Sequence, residues 1–117
     1  MVNSITARGA SGANYTYFAT NGWNWADVPA NYLFAHLANG IWQVCYIGEC
    51  ASAKDRFASH ERWDEAVRNY GATHILTRQS SSSAEVRRQE ERDLILSHNP
   101  PMNVHHRPQN ALGGLYR

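Results

Sequence analysis

A turn signal between two β-patterned segments constrains the fold more than any other feature of this chain. The segments are residues 32–37 (YLFAHL) and 41–47 (IWQVCYI), which are rich in aromatic and β-branched residues and are separated by Asn39-Gly40. An Asn-Gly pair accepts the positive φ angles of a type I′ turn, which joins adjacent antiparallel strands. The sequence therefore predicts a central β-hairpin whose second strand ends at Gly48.

Three capping signals predict helices after the hairpin. Ser52 and Ser83 each precede a helix-forming stretch, and Gly71 follows one, as expected of N-terminal and C-terminal caps. The predicted elements, in chain order, are a loose arm over residues 1–14, an aromatic strand over 15–19, the hairpin, a helix through 54–60, a helix over 63–70, a strand over 73–77 and a helix over 84–98. From residue 30 onward this order predicts a small α/β (α+β) domain.

Length and composition limit the class of protein. The chain has 117 residues, of which 43% are apolar, so it can form one domain with a single core. No apolar run approaches the ~20 residues that cross a bilayer, and residues 1–6 lack the charged and apolar regions of a secretory signal. We therefore expect a cytoplasmic protein, with no membrane partner, in which Cys45 and Cys50 remain thiols.

Positive charge is concentrated in the second half of the chain, although the net charge is only +1. Arg8 is the single basic residue among the first 53. The remaining lysine and arginines fall from Lys54 onward, interleaved with acidic residues. This distribution fits either a local nucleic-acid-binding field or ordinary solvated helices.

Arg56 and His60 are the first candidates for chemistry. Arg56 lies eight residues beyond Gly48, where its guanidinium can hold a phosphate through two hydrogen bonds. His60 lies four residues further, on the same face of the predicted helix, and its imidazole can move a proton near neutral pH. Taken singly, each has an ordinary explanation as a solvated arginine or a locally hydrogen-bonded histidine.

Glu91 is the candidate metal ligand. It precedes Leu94 and Ile95 by about one helical turn, so it faces inward or into a groove. A carboxylate in such a place is costly unless it is paired or binds a cation, and magnesium often takes a single carboxylate with waters completing its shell. The ordinary alternative is an ion pair with Arg87 or Arg88.

The joint pattern carries a family resemblance that no single residue would. The motifs are, in chain order, Tyr32-Leu33-Phe34, Cys45-Tyr46-Ile47-Gly48, Arg56, Glu91-Arg92-Asp93-Leu94-Ile95 and Asn99-Pro100-Pro101-Met102-Asn103. This set resembles the GIY-YIG endonuclease superfamily over residues 31–103. The resemblance implies a small central three-stranded antiparallel sheet flanked by helices, with the N-terminal aromatic segment as an extra arm or strand.

The resemblance also implies an activity and a role for each residue. It implies hydrolysis of a DNA phosphodiester with one divalent metal, Mg²⁺ or Mn²⁺, held by Glu91. Arg56 would stabilise the phosphate, and Tyr46 would contact the attacking water or the phosphate. His60 would assist proton transfer or phosphate binding, and Asn103 would brace the site.

The first motif departs from the family because it ends in Phe34, where a tyrosine is the proposed general base. Tyr46 could act alone, since a nearby metal lowers the pKa of a phenol normally near ~10. His60, with an ordinary pKa of roughly 6.5, could be the base instead. Tyr32, on the same strand face as Phe34, could also supply the hydroxyl. A simple two-residue hairpin would put Phe34 and Tyr46 on opposite faces, so a β-bulge is expected to reshape this region.

These observations predict a metal-dependent endonuclease that cuts DNA with low sequence specificity, or is directed by DNA structure or a protein partner. The alternative is a catalytically weakened module that binds nucleic acid without cutting it, and a third interpretation is an interaction protein with a tryptophan surface. The residues do not distinguish RNA from DNA as the substrate. The expected division is an N-terminal arm (1–30), a nuclease-like domain (31–104) and a C-terminal tail (105–117).

Overall fold

An antiparallel sheet of five strands with three helices makes up the described part of the chain. The computed structural model describes residues 4–19 and 24–103, and the predicted tail over residues 105–117 lies outside them. The elements are β1 (Ser4–Arg8), β2 (Asn14–Ala19), β3 (Ala30–Ala38), β4 (Ile41–Cys50), α1 (Ala53–Ala58), α2 (Trp63–Tyr70), β5 (His74–Gln79) and α3 (Ala84–His98). The strand order is β1-β2-β5-β3-β4, and the fold has the predicted α+β class.

The sheet has five strands rather than the predicted three, because the N-terminal segment joins it. Residues 4–8 were expected to be a loose arm, but they pair with residues 14–18 as an antiparallel hairpin, and β2 in turn pairs with β5. The turn of this hairpin is held by Asp93 on α3, a residue distant in sequence, which accepts hydrogen bonds from the backbone amide and the hydroxyl of Ser11. A contact between residues so far apart in sequence leaves no local pattern, which explains why the strand was missed.

Helices cover the two faces of the sheet separately. On one face, Tyr32 and Phe34 pack with Phe57 of α1 and Ala66 of α2. On the other face, residues of β2, β3, β4 and β5 pack against Leu94 of α3. The strand pair β3–β4 therefore lies between two cores. Strand alternation decides which core a side chain joins, except at Cys45 and Tyr46, consecutive residues that both pack in the first core.

A bulge in β4 sets which side chains face α1. The turn is the predicted one, with positive φ angles of 55° at Asn39 and 75° at Gly40. Pairing then shifts by one residue, so that Phe34 lies opposite Tyr46 while Ala35 lies opposite Val44. Because of this bulge, Phe34 and Tyr46 share a face, as the sequence required. The strand does not end at Gly48 as predicted, since β3 begins early enough to pair with β4 as far as Cys50.

The first helix is shorter than predicted, and His60 does not lie on it. Ser52 caps the helix as expected, accepting a hydrogen bond from the Asp55 amide, but the helix ends at Ala58 and Ser59 is extended. The imidazole of His60 accepts a hydrogen bond from the backbone amide of Arg62, and such a local bond competes with continued helix. The predicted i,i+4 relation of Arg56 and His60 is therefore wrong, and His60 belongs to the turn between α1 and α2.

The other helix boundaries follow the capping signals. Helix α2 ends at Tyr70 and is capped by Gly71 in the left-handed conformation. Ser83 caps α3 by accepting a hydrogen bond from the Val86 amide. Cys45 and Cys50 are buried free thiols. In the part of the chain that the structure describes, no helix has both the length and the apolar character needed to cross a membrane.

Candidate active site

The end of the β3–β4 pair forms the floor of the candidate site. Tyr32 pairs with Gly48 across the two strands, and a Cβ atom added at Gly48 would overlap the Tyr32 phenol ring. Gly48 therefore leaves space for the Tyr32 ring to lie across β4. The neighbouring pair of Phe34 and Tyr46 has ring centroids 5.2 Å apart on the same face.

His60 is hydrogen-bonded on both of its ring nitrogens. The Nε2 atom lies 2.8 Å from the hydroxyl of Tyr32, and the Nδ1 atom accepts the backbone amide of Arg62 at 3.1 Å. A backbone amide can only donate, so Nδ1 is unprotonated and the neutral ring carries its proton on Nε2. His60 thus donates to the Tyr32 oxygen. Burial, followed by the charge of Arg56, lowers the pKa of His60 to about 4, so the ring is neutral near pH 7.

Arg56 lies beside the Tyr32 hydroxyl and carries a carboxylate partner. Its Nη1 and Nη2 atoms donate to the two carboxylate oxygens of Glu61 at 3.1 and 2.8 Å. The hydrogen bonds to Glu61 raise the pKa of Arg56 above its ordinary value, and the nearby Tyr32 raises it further. These two effects outweigh partial burial, which by itself would lower the pKa. An open cleft lined by Cys50, Ala51, Ser52 and Asp55 adjoins the guanidinium. Arg56 therefore lies where a ligand entering from solvent can reach it.

Tyr46 is a half-buried phenol between cationic and acidic groups. The guanidinium of Arg62 lies 5.3 Å from the centre of its ring and also donates to the carbonyl of Met102. Burial raises the pKa of Tyr46, the charge of Glu91 raises it further, and Arg62 lowers it in part. The phenol is consequently protonated near pH 7 in the free protein.

Glu91 has no hydrogen bond or ion pair to any residue among 4–19 and 24–103. The arginines that could have paired with it contact Glu49 instead: Arg87 Nε lies 2.8 Å and Arg88 Nε 3.9 Å from the Glu49 carboxylate. Burial, followed by the negative charge of Glu49, raises the pKa of Glu91 to about 7. The ordinary explanation of Glu91, an ion pair with Arg87 or Arg88, is therefore not what the structure shows.

Asn103 joins the outer edge of β4. Its side-chain oxygen accepts the Ile47 amide at 2.8 Å, and its side-chain nitrogen donates to the Ile47 carbonyl at 2.9 Å. The Met102 amide donates to the Cys45 carbonyl in the same way. These bonds hold the backbone on both sides of Tyr46, so Asn103 lies where a residue bracing the site would lie.

The structure thus joins Tyr32 and His60 by a hydrogen bond and places Arg56 close enough to influence the pKa of both. Tyr46 lies beside them, and Glu91 is close enough to influence the pKa of Tyr46. The functional residues that sequence reasoning missed are Glu49, Glu61 and Arg62. No periodic pattern could have found Glu61, because its pairing with Arg56 depends on the turn that follows α1. Glu49 follows the second motif directly, but its partners lie on α3.

A divalent cation fits the donor chemistry at Glu91, though the residues near it supply few ligands. Among the described residues no group of three or more His, Cys, Asp or Glu side chains converges on one point. Magnesium does not require such a group, since it keeps most of its waters. A partly buried carboxylate without a partner is the donor that this ion needs.

No protein-family model, no curated protein and no solved structure gives a significant match to this chain.

Proposed function

We propose that this chain is a metal-dependent endonuclease of the GIY-YIG type that hydrolyses DNA phosphodiester bonds. The observation that carries the proposal is the state of Glu91, whose side chain is partly buried and makes no hydrogen bond or ion pair with the described residues. Such a charge lowers stability unless something binds it. A divalent cation is the ligand that would neutralise it, and Glu91 would hold that ion. When bound, the ion would stabilise negative charge on the phosphate and lower the pKa of a bound water.

Arg56 is the residue that would hold the scissile phosphate. A guanidinium binds two oxygens of one phosphate in parallel, and here it sits between the Tyr32 hydroxyl and an open cleft. The phosphate would therefore lie next to the Tyr32 hydroxyl. Stabilising the charge that develops on such a phosphate is usually the largest part of catalysis.

Tyr32 is the hydroxyl that best replaces the one missing at Phe34. Its oxygen receives a hydrogen bond from His60 and contacts Arg56, and donors of this kind favour the ionised phenol. Burial, however, raises the pKa of Tyr32, so the phenol is protonated in the free protein. His60 is a positioning residue in this proposal, because its Nε2 atom already carries a proton and donates to Tyr32.

A plasmid-nicking assay in Mg²⁺, in Mn²⁺ and in EDTA tests the proposal. Metal-dependent nicking should be abolished by Glu91→Gln and Arg56→Ala. Two matched controls should keep wild-type activity: Glu85→Gln, an exposed carboxylate in the first turn of α3, and Arg68→Ala, an exposed arginine on α2. Salt-sensitive DNA binding without nicking in any metal would overturn the proposal in favour of a binding module.

A further inference from the structure

The pairing of Arg56 with Glu61 uses the groups that a phosphate would need. Two parallel hydrogen bonds, of 3.1 and 2.8 Å, run from the terminal nitrogens of Arg56 to the two oxygens of Glu61. A phosphodiester presents the same features as a carboxylate: two terminal oxygens that share one negative charge. Arg56 recognises both through the same planar fork. Because Glu61 occupies both terminal nitrogens, a phosphate that binds Arg56 through these two atoms must displace the Glu61 carboxylate.

The pair is exposed enough to exchange. The side chain of Glu61 is 69% exposed and that of Arg56 is 29% exposed, so water and ligands reach the contact from the Glu61 side. The pKa of Glu61 is lowered to about 2, chiefly by its hydrogen bond to Arg56, so it is charged at any pH at which the protein would work. Glu61 therefore neutralises Arg56 in the free protein without being fixed to it by burial.

We infer that Glu61 competes with the substrate phosphate for Arg56 and must leave the guanidinium before a phosphodiester can bind. This inference rests on the proposed function, since it concerns the same arginine. The exposure of the Arg56–Glu61 pair sets the size of the expected change in DNA affinity, because exposed ion pairs of this kind change an affinity by a factor of about 1.4 to 5. Removing the carboxylate should tighten DNA binding rather than weaken it.

A positioning role for Glu61 predicts the opposite sign. If Glu61 served to hold Arg56 in its working orientation, its loss would leave the guanidinium mobile, and DNA binding would weaken. The two roles are thus separated by the direction of one measured change.

The experiment measures the affinity for a short DNA duplex by fluorescence anisotropy in EDTA, with Glu91→Gln as the background so that no cutting occurs. Adding Glu61→Gln should lower the Kd by a factor of about 1.4 to 5. The matched control is Asp64→Asn, which removes the same charge from an exposed ion pair with Arg68 at the start of α2. That control should change the Kd by a smaller factor, through general electrostatics alone.

A double-mutant cycle with Arg56→Ala completes the test. The gain from Glu61→Gln should disappear when Arg56 is absent, since there is then no site to compete for. The inference would be overturned if Glu61→Gln weakened DNA binding, or if it tightened binding no more than Asp64→Asn does. It would also be overturned if the tighter binding persisted without Arg56, or if DNA binding were absent both with and without Glu61→Gln. Failure of the proposed function is a separate result, because it appears as absence of nicking by the wild-type protein.

Discussion

The side-chain amide of Asn103 pairs with both backbone groups of Ile47, as the backbone of a neighbouring strand would. Its oxygen accepts the Ile47 amide and its nitrogen donates to the Ile47 carbonyl, at 2.8 and 2.9 Å, and the side chain is almost fully buried. One residue thus satisfies two backbone groups at the edge of the sheet. Since Tyr46 and Gly48 flank Ile47, the same residue fixes the strand that carries half of the candidate site.

Replacing Asn103 by alanine should therefore destabilise the protein. Two backbone groups would lose their partners, and a buried unsatisfied group costs about 1 to 3 kcal/mol. We expect a loss of about 2 kcal/mol or more in the free energy of unfolding, measured by urea denaturation. Asn69→Ala, at an exposed position on α2, should change it by less than about 0.5 kcal/mol. Equal values for the two variants would contradict the bracing role.

Tyr32→Phe should remove activity while keeping the ring that packs over Gly48. The hydroxyl contacts both His60 and Arg56, and loss of a group that transfers a proton typically slows a reaction by about 10² to 10⁴-fold. Single-turnover nicking rates in Mg²⁺ would measure the change, with Tyr70→Phe on α2 as the control. Near-normal activity of Tyr32→Phe together with an inactive Tyr46→Phe would assign the role to Tyr46 instead.

Glu91→Gln should stabilise the metal-free protein at the same time as it abolishes nicking. The pKa of Glu91 is raised to about 7 from the ordinary 4.5, chiefly by burial. Between these values the folded protein binds a proton that the unfolded chain does not, so the free energy of unfolding falls as the pH rises through that window. At pH 8 in EDTA we expect the variant to be more stable by about 1 to 3 kcal/mol.

Magnesium should make the wild-type protein more stable than the Glu91→Gln variant, the reverse of the order expected in EDTA. An ion that binds the folded protein at Glu91 raises the melting temperature by mass action, and the variant lacks the ligand. Thermal unfolding at pH 8, with and without excess Mg²⁺, measures both effects, and Glu85→Gln should behave as the wild type. A wild-type melting temperature that is indifferent to Mg²⁺ would argue against a metal at Glu91.

Acid should destabilise the protein through His60. The pKa of His60 is lowered to about 4 from 6.5, first by burial and then by Arg56. Between pH 6.5 and 4 the unfolded chain binds a proton at this imidazole that the folded protein excludes. The contribution of the neutral ring to the free energy of unfolding is therefore complete above pH 6.5 and is lost as the pH falls. The free energy of unfolding of His60→Gln should decline less steeply over this window. Identical pH profiles would show that the ring is not held neutral.

Local signals predicted the elements around the site well. The Asn39-Gly40 turn lies where the sequence placed it, and the capping residues Ser52, Gly71 and Ser83 act at the predicted helix ends. Each of these signals depends on a few neighbouring residues whose backbone preferences agree. The need for a bulge was also deducible, because two motif residues had to reach the same face of a hairpin.

Interactions between distant residues were not deducible in the same way. Arg87 pairs with Glu49 rather than Glu91, although Glu91 is one turn away and Glu49 is 38 residues distant. The choice depends on how α3 lies over β4, which no helical spacing reveals. His60 lies outside its predicted helix because its imidazole is hydrogen-bonded to the Tyr32 hydroxyl, 28 residues away in sequence, and to the Arg62 amide. These contacts replace another half turn of helix.

The close approach of the Tyr32 ring to Gly48 has a consequence for recognising relatives of this chain. Gly48 of the second motif leaves room for the ring of Tyr32, which lies on the opposite strand and two residues before Phe34, the end of the first motif. The residue types at positions 32 and 48 are therefore coupled by direct contact, although the two positions are far apart in sequence. A bulky residue at position 48 would be compatible only with a smaller one at position 32. Related proteins should therefore be sought by this cross-strand pair, read together with the bulge before Tyr46, instead of by a linear motif alone.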